Sequence, residues 1–153
     1  LPRRIFVPLE RSEASASILP HAELLATELG AELILATVIA PIEVRAAALV
    51  QMHVPLDDAM IATRQAAAAR FLADVAEPLR ARGLRVQTTV LLHHQAATAI
   101  LQGAERADAE VIAMTTHARR GLRRMVLGST TDKVTRGTSR TMLLSRPSED
   151  VVV

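Results

Sequence analysis

The sequence reads Val111-Ile112-Ala113-Met114-Thr115-Thr116-His117-Ala118-Arg119-Arg120-Gly121-Leu122-Arg123-Arg124-Met125-Val126-Leu127-Gly128-Ser129. The apolar run that begins this segment predicts a buried strand, and the Gly128-Ser129 pair that closes it predicts the first turn of a helix. A loop between a strand and a helix N-terminus exposes backbone N–H groups at the positive end of the helix dipole, where anions bind. The segment therefore predicts an α/β fold with a candidate phosphate loop.

The alternation of strand and helix patterns extends along the rest of the chain. Apolar runs predict strands at 3–8, 32–39, 84–92, 110–114 and 140–145, and amphipathic segments predict helices at 12–29, 56–82, 96–107 and 129–136. Residues 42–55 are predicted to form a helical or irregular connection. This order predicts an α/β fold, a three-layer α/β/α sandwich with a five-stranded, mainly parallel sheet.

Several residues are predicted to set the helix ends and faces. Ser12 is a plausible N-cap, and Gly30 and Gly83 are expected to stop the helices that precede them. Pro20 lies inside the predicted helix 12–29 and is expected to kink it. Ser129 is expected to cap the last helix, with Asp132 completing a capping box. The buried face of helix 56–82 is expected to carry Met60, Leu72, Val75 and Leu79.

The composition restricts the class of protein. A length of 153 residues fits one domain, which we place at 1–147, with a short tail at 148–153. The chain has no cysteine, so it holds no disulfide and no thiolate metal site, and we expect a cytoplasmic location. Two Phe and no Trp or Tyr argue against nucleic-acid binding by base stacking. No apolar run reaches the roughly 20 residues of a membrane helix, so no membrane insertion is expected.

With these elements in place, the chain resembles the universal stress protein family. Residues 5–15 are similar to the family's first strand and loop, and residues 140–147 to its closing strand. Residues 115–129 keep the spacing of the family's nucleotide motif, in which Gly-x-x-Gly is followed nine residues later by Gly-Ser or Gly-Thr. The resemblance implies an adenine nucleotide alpha hydrolase-like fold with strand order 3-2-1-4-5. It also implies a stress-response regulatory module, with a homodimer formed through the strand from Arg140 to Ser145.

The ligand that the resemblance implies is ATP or another adenine nucleotide with Mg, with little or no fast turnover and no catalytic residue. The base side of the implied site consists of Pro8, Glu10 and Val38. The ribose and phosphate side consists of Met114, Thr115, His117, Ala118, Gly128, Ser129 and Thr130.

Four positions depart from the family pattern. Thr115 and Ala118 replace the first two glycines of the motif, Glu10 replaces the aspartate after the first strand, and Arg11 replaces the glycine that follows it. A β-branched Thr115 is stiff and crowds the approach of a phosphate, and the longer Glu10 side chain pushes the base outward. We therefore expect adenine nucleotide binding to be weakened.

The arginines of the loop have two interpretations. Arg119, Arg120, Arg123 and Arg124 are candidate phosphate contacts that replace those of the missing glycines. Alternatively, they form a solvated loop or salt bridges across a dimer interface.

Other functions stay open. One is a ligand-free dimeric interaction module; another is a slow ATPase that uses His117 and the loop arginines; a third is a flavin-binding relative of the same architecture. No metal site is expected from His53, His93 and His94, because the adjacent His93 and His94 point to opposite faces of a strand and no carboxylate or histidine at i+4 spacing joins that pair.

Overall fold

A parallel five-stranded sheet forms the centre of the protein, for which a computed structural model describes residues 3–41, 58–116 and 127–147. The strands are β1 (Arg4–Pro8), β2 (Glu32–Ile39), β3 (Val86–Leu92), β4 (Val111–Thr115) and β5 (Thr141–Ser145). The described helices are α1 (Glu13–Ala16), α2 (Leu19–Leu29), α3 (Asp58–Ala81), α4 (Ala96–Arg106) and α5 (Ser129–Gly137).

The strand order is β3-β2-β1-β4-β5, and all four neighbouring pairs are parallel. The predicted fold class and strand order are therefore confirmed. In such a sheet the strand order reverses between β1 and β4, because β2 lies on one side of β1 and β4 on the other. The crevice at the carboxyl ends of these two strands is where ligands of open α/β sheets bind.

Helices cover both faces of the sheet. On one face Ile5, Val7 and Leu35 pack with Leu72 of α3 and Ala22 of α2. The opposite face is covered by α4 and α5, and its buried residues include Phe6, Ile34, Ala36, Ile100 and Val134. Successive residues of β1 point to opposite faces, and all three central ones are buried because each face is covered.

The predicted helix 12–29 is two helices, and the expected kink at Pro20 is wrong. Ser12 caps α1 as predicted, since its hydroxyl accepts a hydrogen bond from the Ser15 N–H at 3.1 Å. The second helix starts at Leu19, which places Pro20 in its first turn. A proline there loses no helical hydrogen bond, so it starts α2 instead of bending it. Gly30 ends α2 in the left-handed conformation, with φ of +59°.

Two further expectations about helices are wrong. The N-cap of α5 is Gly128, which has no side chain to accept a hydrogen bond, and Ser129 is the first helical residue, so the capping box does not form. Met60 is 47% exposed, whereas Leu72 and Leu79 are buried as expected. Met60 lies in the first turn of α3, ahead of the part of that helix that supplies buried residues.

Arginine side chains donate hydrogen bonds to backbone carbonyl groups near the ends of helices and strands. Arg80 donates to the Val86 carbonyl at 2.7 and 3.1 Å, and Arg85 donates to the Gly30 carbonyl at 2.7 Å. Arg4 and Arg140 similarly reach the carbonyls that follow α4. These contacts use the multiple N–H donors of a guanidinium and give a structural use for the chain's preference for arginine over lysine. None of the described helices is long and apolar enough to span a membrane.

Candidate functional site

A cleft lies at the carboxyl ends of β1 and β4, at the point where the strand order reverses. Its enclosed volume is about 80 Å³, smaller than the roughly 300–1,000 Å³ of most small-molecule sites, and it opens to solvent. Its described walls are Pro8, Leu9, Glu10, Ser15, Val38, Ala96, Ile100, Met114, Thr115, Thr130 and Thr131. The walls are mainly apolar, with hydroxyl groups and one carboxyl group between them, as is usual for a site that takes a largely apolar ligand with a few polar groups.

The described site residues that the sequence predicted lie at or next to this cleft. Those that line it are Pro8, Glu10, Val38, Met114, Thr115 and Thr130. Gly128 and Ser129 lie beside Thr130 at the start of α5 but do not line the described cleft. The predictions for His117, Ala118, Arg119, Arg120, Arg123 and Arg124 fall outside the described residues.

Sequence reasoning missed five wall residues. Ala96 and Ile100 lie one helical turn apart on α4, so the predicted amphipathic face of that helix was a signal for them. Thr131 follows Thr130 in the first turn of α5. Leu9 and Ser15 come from the segment after β1, and no local pattern indicated which of its side chains turn inward.

Thr115 connects three elements at the bottom of the cleft. Its hydroxyl donates to the Ser15 carbonyl of α1 at 3.1 Å, and its own carbonyl accepts a hydrogen bond from the Thr131 hydroxyl of α5 at 3.3 Å. The Thr115 side chain is therefore held as a part of the cleft wall. Its hydroxyl is already used within the protein, so a ligand gains no free donor from it.

The loop after β1 is held by Ser15. The Ser15 hydroxyl accepts from the Glu10 N–H at 2.9 Å, and the Glu10 carbonyl accepts from the Ser12 N–H at 2.9 Å. Leu9 donates its N–H to the Ala36 carbonyl at 2.7 Å, which extends the pairing of β1 with β2. These contacts leave the Glu10 carboxyl group exposed at the mouth of the cleft, where it is the one ionisable side chain of the described walls.

Arg11 turns away from this cleft. Its guanidinium lies 5.7 Å from the centre of the Phe71 ring and donates to the Ala67 carbonyl at 2.7 Å. Both partners belong to α3, on the other face of the sheet. Arg11 therefore does not line the described cleft, whereas Thr115 and Glu10, two other departures from the family pattern, do.

The histidines of the described residues form no metal-binding group. Across residues 3–41, 58–116 and 127–147, no three His, Cys, Asp or Glu side chains gather as metal ligands would. His93 uses its Nδ1 to accept a hydrogen bond from the Gln95 N–H at 2.9 Å, at the start of α4. His53 lies outside the described residues.

The last strand forms one edge of the sheet. Met142, Leu143 and Leu144 of β5 are half-buried, and Thr116 donates both its N–H and its hydroxyl to the Ser145 carbonyl, at 2.8 and 3.2 Å. The Ser145 hydroxyl is buried, and within the described part of the chain it has no hydrogen-bond partner. This edge is the surface that the sequence predicts to pair two subunits.

Known proteins share this fold over nearly the whole chain. The sequence pattern that defines the universal stress protein family matches residues 2–146. The structure of the hypothetical protein MJ0577 superposes with a TM-score of 0.75 at 20% identity, covering 97% of this chain and 98% of the other. A universal stress protein from Burkholderia pseudomallei gives a TM-score of 0.71 at 20% identity, covering 95% and 96%.

A third similar structure is described as a universal stress protein in complex with cAMP. It gives a TM-score of 0.62 at 17% identity and covers 96% of this chain and 98% of the other. No curated protein matches the chain.

Proposed function

The chain belongs to the universal stress protein family, and we propose that it acts as a regulatory domain that binds an adenine nucleotide in the cleft between β1 and β4. This proposal rests on one observation. Four elements, β1, β2, β4 and α5, each place a predicted site residue in the wall of one cleft: Pro8, Val38, Met114 and Thr130. An adenine nucleotide is also the ligand class named for one similar structure, the complex with cAMP. The proposed setting is the cytoplasm.

The base would occupy the apolar part of the cleft. Pro8, Met114 and Ile100 offer apolar surface, and the exposed Glu10 carboxylate accepts hydrogen bonds from an exocyclic amine. Phosphates would lie toward the start of α5. Because Gly128 offers no side-chain cap, the first N–H groups of that helix are left for an anion to satisfy.

Thr115 would limit the affinity for a triphosphate. A Cβ with two substituents stands where the family's motif has a glycine, and its conformation is fixed by the bond to Ser15. Any Mg would arrive with the phosphates, because the described walls supply a single carboxyl group, that of Glu10. We also propose binding without fast turnover, because Glu10 is the one ionisable side chain of the described walls. A slow ATPase that uses His117 and the loop arginines is the less supported alternative.

A ligand-free interaction module is the second candidate function. It is favoured by β5, whose half-buried Met142, Leu143 and Leu144 lie at a sheet edge. An edge strand offers N–H and C=O groups to a second chain, and two copies related by a two-fold axis would bury these side chains together. In this function the dimer through Arg140 to Ser145 would act on partners directly.

Calorimetric titration with ATP-Mg, ADP, AMP and cAMP tests the nucleotide proposal. We expect saturable binding of at least one of them, and loss of that binding in Ala96→Gln, which adds a longer side chain to the cleft wall. Ala73→Gln is the matched control, since Ala73 is an exposed residue of α3. The absence of heat and of any rise in Tm at millimolar nucleotide would leave the interaction module as the better account, because a ligand at a hundredfold excess over Kd stabilises by about 2.7 kcal/mol.

A further inference from the structure

A second groove lies on the opposite face of the sheet from the nucleotide cleft. It runs between α3 and the loop after β1, and its walls include Arg11, Thr37, Ile39, Arg64, Ala67 and Phe71. Thr37 and Ile39 alternate with Val38, so they face α3, whereas Val38 packs with α4 on the other side. The groove has a volume of about 290 Å³ and meets the cleft at Glu10 and Val38.

Two guanidinium groups are held in fixed places on this groove. Arg11 donates from Nη2 to the Ala67 carbonyl at 2.7 Å, and Arg64 donates from Nη1 to the Ala40 carbonyl at 2.7 Å. A guanidinium has five N–H donors, and the contacts within the described chain use one from each arginine. Neither forms an ion pair with an acid of the described residues. With respect to residues 3–41, 58–116 and 127–147, the groove therefore has two positive charges with unused N–H donors.

The rest of the groove is apolar. Ala67, Ala68 and Phe71 of α3 form one wall and Ile39 of β2 the other, and Arg11 lies over the Phe71 ring. An aromatic or aliphatic body that enters between these walls loses its contact with water. Arg11 contacts Phe71 and Ala67, and its planar fork matches the two oxygens of a carboxylate better than a point charge does.

Glu10 limits the charge of the ligand. Its exposed carboxyl group lies on the rim that both cavities share, so the groove combines two positive charges with one negative charge. The net charge of Arg11, Arg64 and Glu10 is +1 (two positive and one negative), so one carboxylate neutralises it, whereas a phosphate dianion would leave the occupied groove with a net negative charge. A carboxylate therefore suits the groove better than a phosphate.

We propose that this groove is a second binding site, for a small organic carboxylate whose apolar body packs against Phe71 and Ile39 and whose carboxylate contacts Arg11 and Arg64. The groove shares Glu10 and Val38 with the cleft, but the residues proposed to contact the ligand, Arg11, Arg64, Ile39 and Phe71, line the groove and not the cleft. Nothing in the proposal requires that a nucleotide bind.

An NMR titration of the whole chain with benzoate tests the proposal. We expect saturable shifts of the amide signals of Thr37, Ile39 and Phe71, and much smaller shifts with benzyl alcohol, which lacks the charge, or acetate, which lacks the ring. Arg11→Gln and Arg64→Gln should each weaken benzoate binding about tenfold, because each removes a charged hydrogen-bond donor. Glutamine keeps a donor for the backbone carbonyl, so both variants are expected to fold, and the melting temperature of each checks this.

Arg85→Gln is the matched control. Arg85 is exposed and donates to a backbone carbonyl at 2.7 Å as Arg11 and Arg64 do, but it lies outside the groove. Benzoate binding unchanged in Arg85→Gln and weakened in the other two variants supports the site. No saturable shift, equal shifts with acetate, or shifts confined to the cleft between β1 and β4 at Met114 and Thr115 would each overturn it.

Discussion

The hydroxyl of Thr115 donates to the backbone carbonyl of Ser15, 3.1 Å away, and this hydrogen bond joins β4 to α1 beside the nucleotide cleft. The same Ser15 accepts the Glu10 N–H through its own hydroxyl. A residue that departs from the family's glycine therefore stabilises the loop that forms the base side of the cleft. We therefore expect stability and nucleotide affinity to depend on Thr115 in opposite directions.

Replacing Thr115 tests this opposition. In Thr115→Gly we expect tighter adenine nucleotide binding, because the β-carbon and its substituents leave the wall. We also expect a loss of about 1–2 kcal/mol in the free energy of unfolding, from the lost hydrogen bond and the greater freedom of glycine in the unfolded chain. Calorimetry and denaturant unfolding measure the two effects. Thr115→Ser keeps the hydroxyl and should retain most of the stability; tighter binding with no loss of stability in Thr115→Gly would show that the bond to Ser15 contributes little.

Gly103 tests the close packing of α4 on the sheet. A β-carbon at this position would lie 2.7 Å from the Cζ atom of Phe6, which is fully buried, so Gly103→Ala should cost about 1–3 kcal/mol of unfolding free energy. Gly137→Ala is the matched control. Its β-carbon would meet the Cδ1 atom of Leu101 at the same 2.7 Å, but that methyl group is the end of a half-buried side chain that can rotate away. Equal destabilisation of both variants in urea unfolding would contradict the packing argument.

Glu23 and Arg82 link α2 to the end of α3 by two hydrogen bonds of 2.5 and 2.8 Å. The hydrogen bonds from Arg82 lower the pKa of Glu23 below its ordinary value of 4.5. Because the folded pKa lies below the unfolded one, the contribution is complete above pH 4.5 and is lost as the pH falls through the folded value. The stability difference between the parent chain and Glu23→Gln should therefore shrink as the pH falls below 4.5, and screening by salt should reduce it.

Glu28→Gln is the control for that experiment, since Glu28 is an exposed acid of the same helix. Denaturant unfolding of the three chains at pH 7 and at pH 3 gives the comparison. A difference between the parent chain and Glu23→Gln that does not change with pH would remove the ion pair as its cause.

The proposed dimer depends on the edge strand β5. Thr141 is exposed at the start of this strand, so Thr141→Lys would place like charges near each other in a two-fold pairing of edges and should weaken it. Analytical ultracentrifugation measures the dimer dissociation constant. Thr63→Lys on the exposed face of α3 is the control, and equal dissociation constants for the two variants would place the interface elsewhere.

Local patterns in the sequence were sufficient to predict the strands. The order of the strands in the sheet was predicted from the resemblance to the family. Local patterns failed where a residue distant in the sequence determines the direction of a side chain. The direction of Arg11 depends on Phe71 and Ala67 of α3, and no pattern around Arg11 indicates that contact. The division of helix 12–29 was missed, although Pro20 near a new first turn was a usable signal.

The sequence predicted some residues of the candidate site and missed others. Positions fixed by strand ends, such as Pro8 and Met114, reach the cleft because the carboxyl ends of parallel strands share one edge of the sheet. Ser15 was not predicted. It accepts hydrogen bonds from Glu10 and Thr115, and these contacts depend on the path of the loop in three dimensions. The second groove was not predicted either, since its two arginines are far apart in the sequence.

The central claim is that an adenine nucleotide occupies the cleft between β1 and β4, and a crystal structure of the chain soaked with AMP tests it most directly. We expect electron density for the base between Pro8, Val38 and Met114, with the phosphate toward the start of α5. Density for AMP elsewhere on the protein, or an empty cleft at saturating AMP, would contradict the claim.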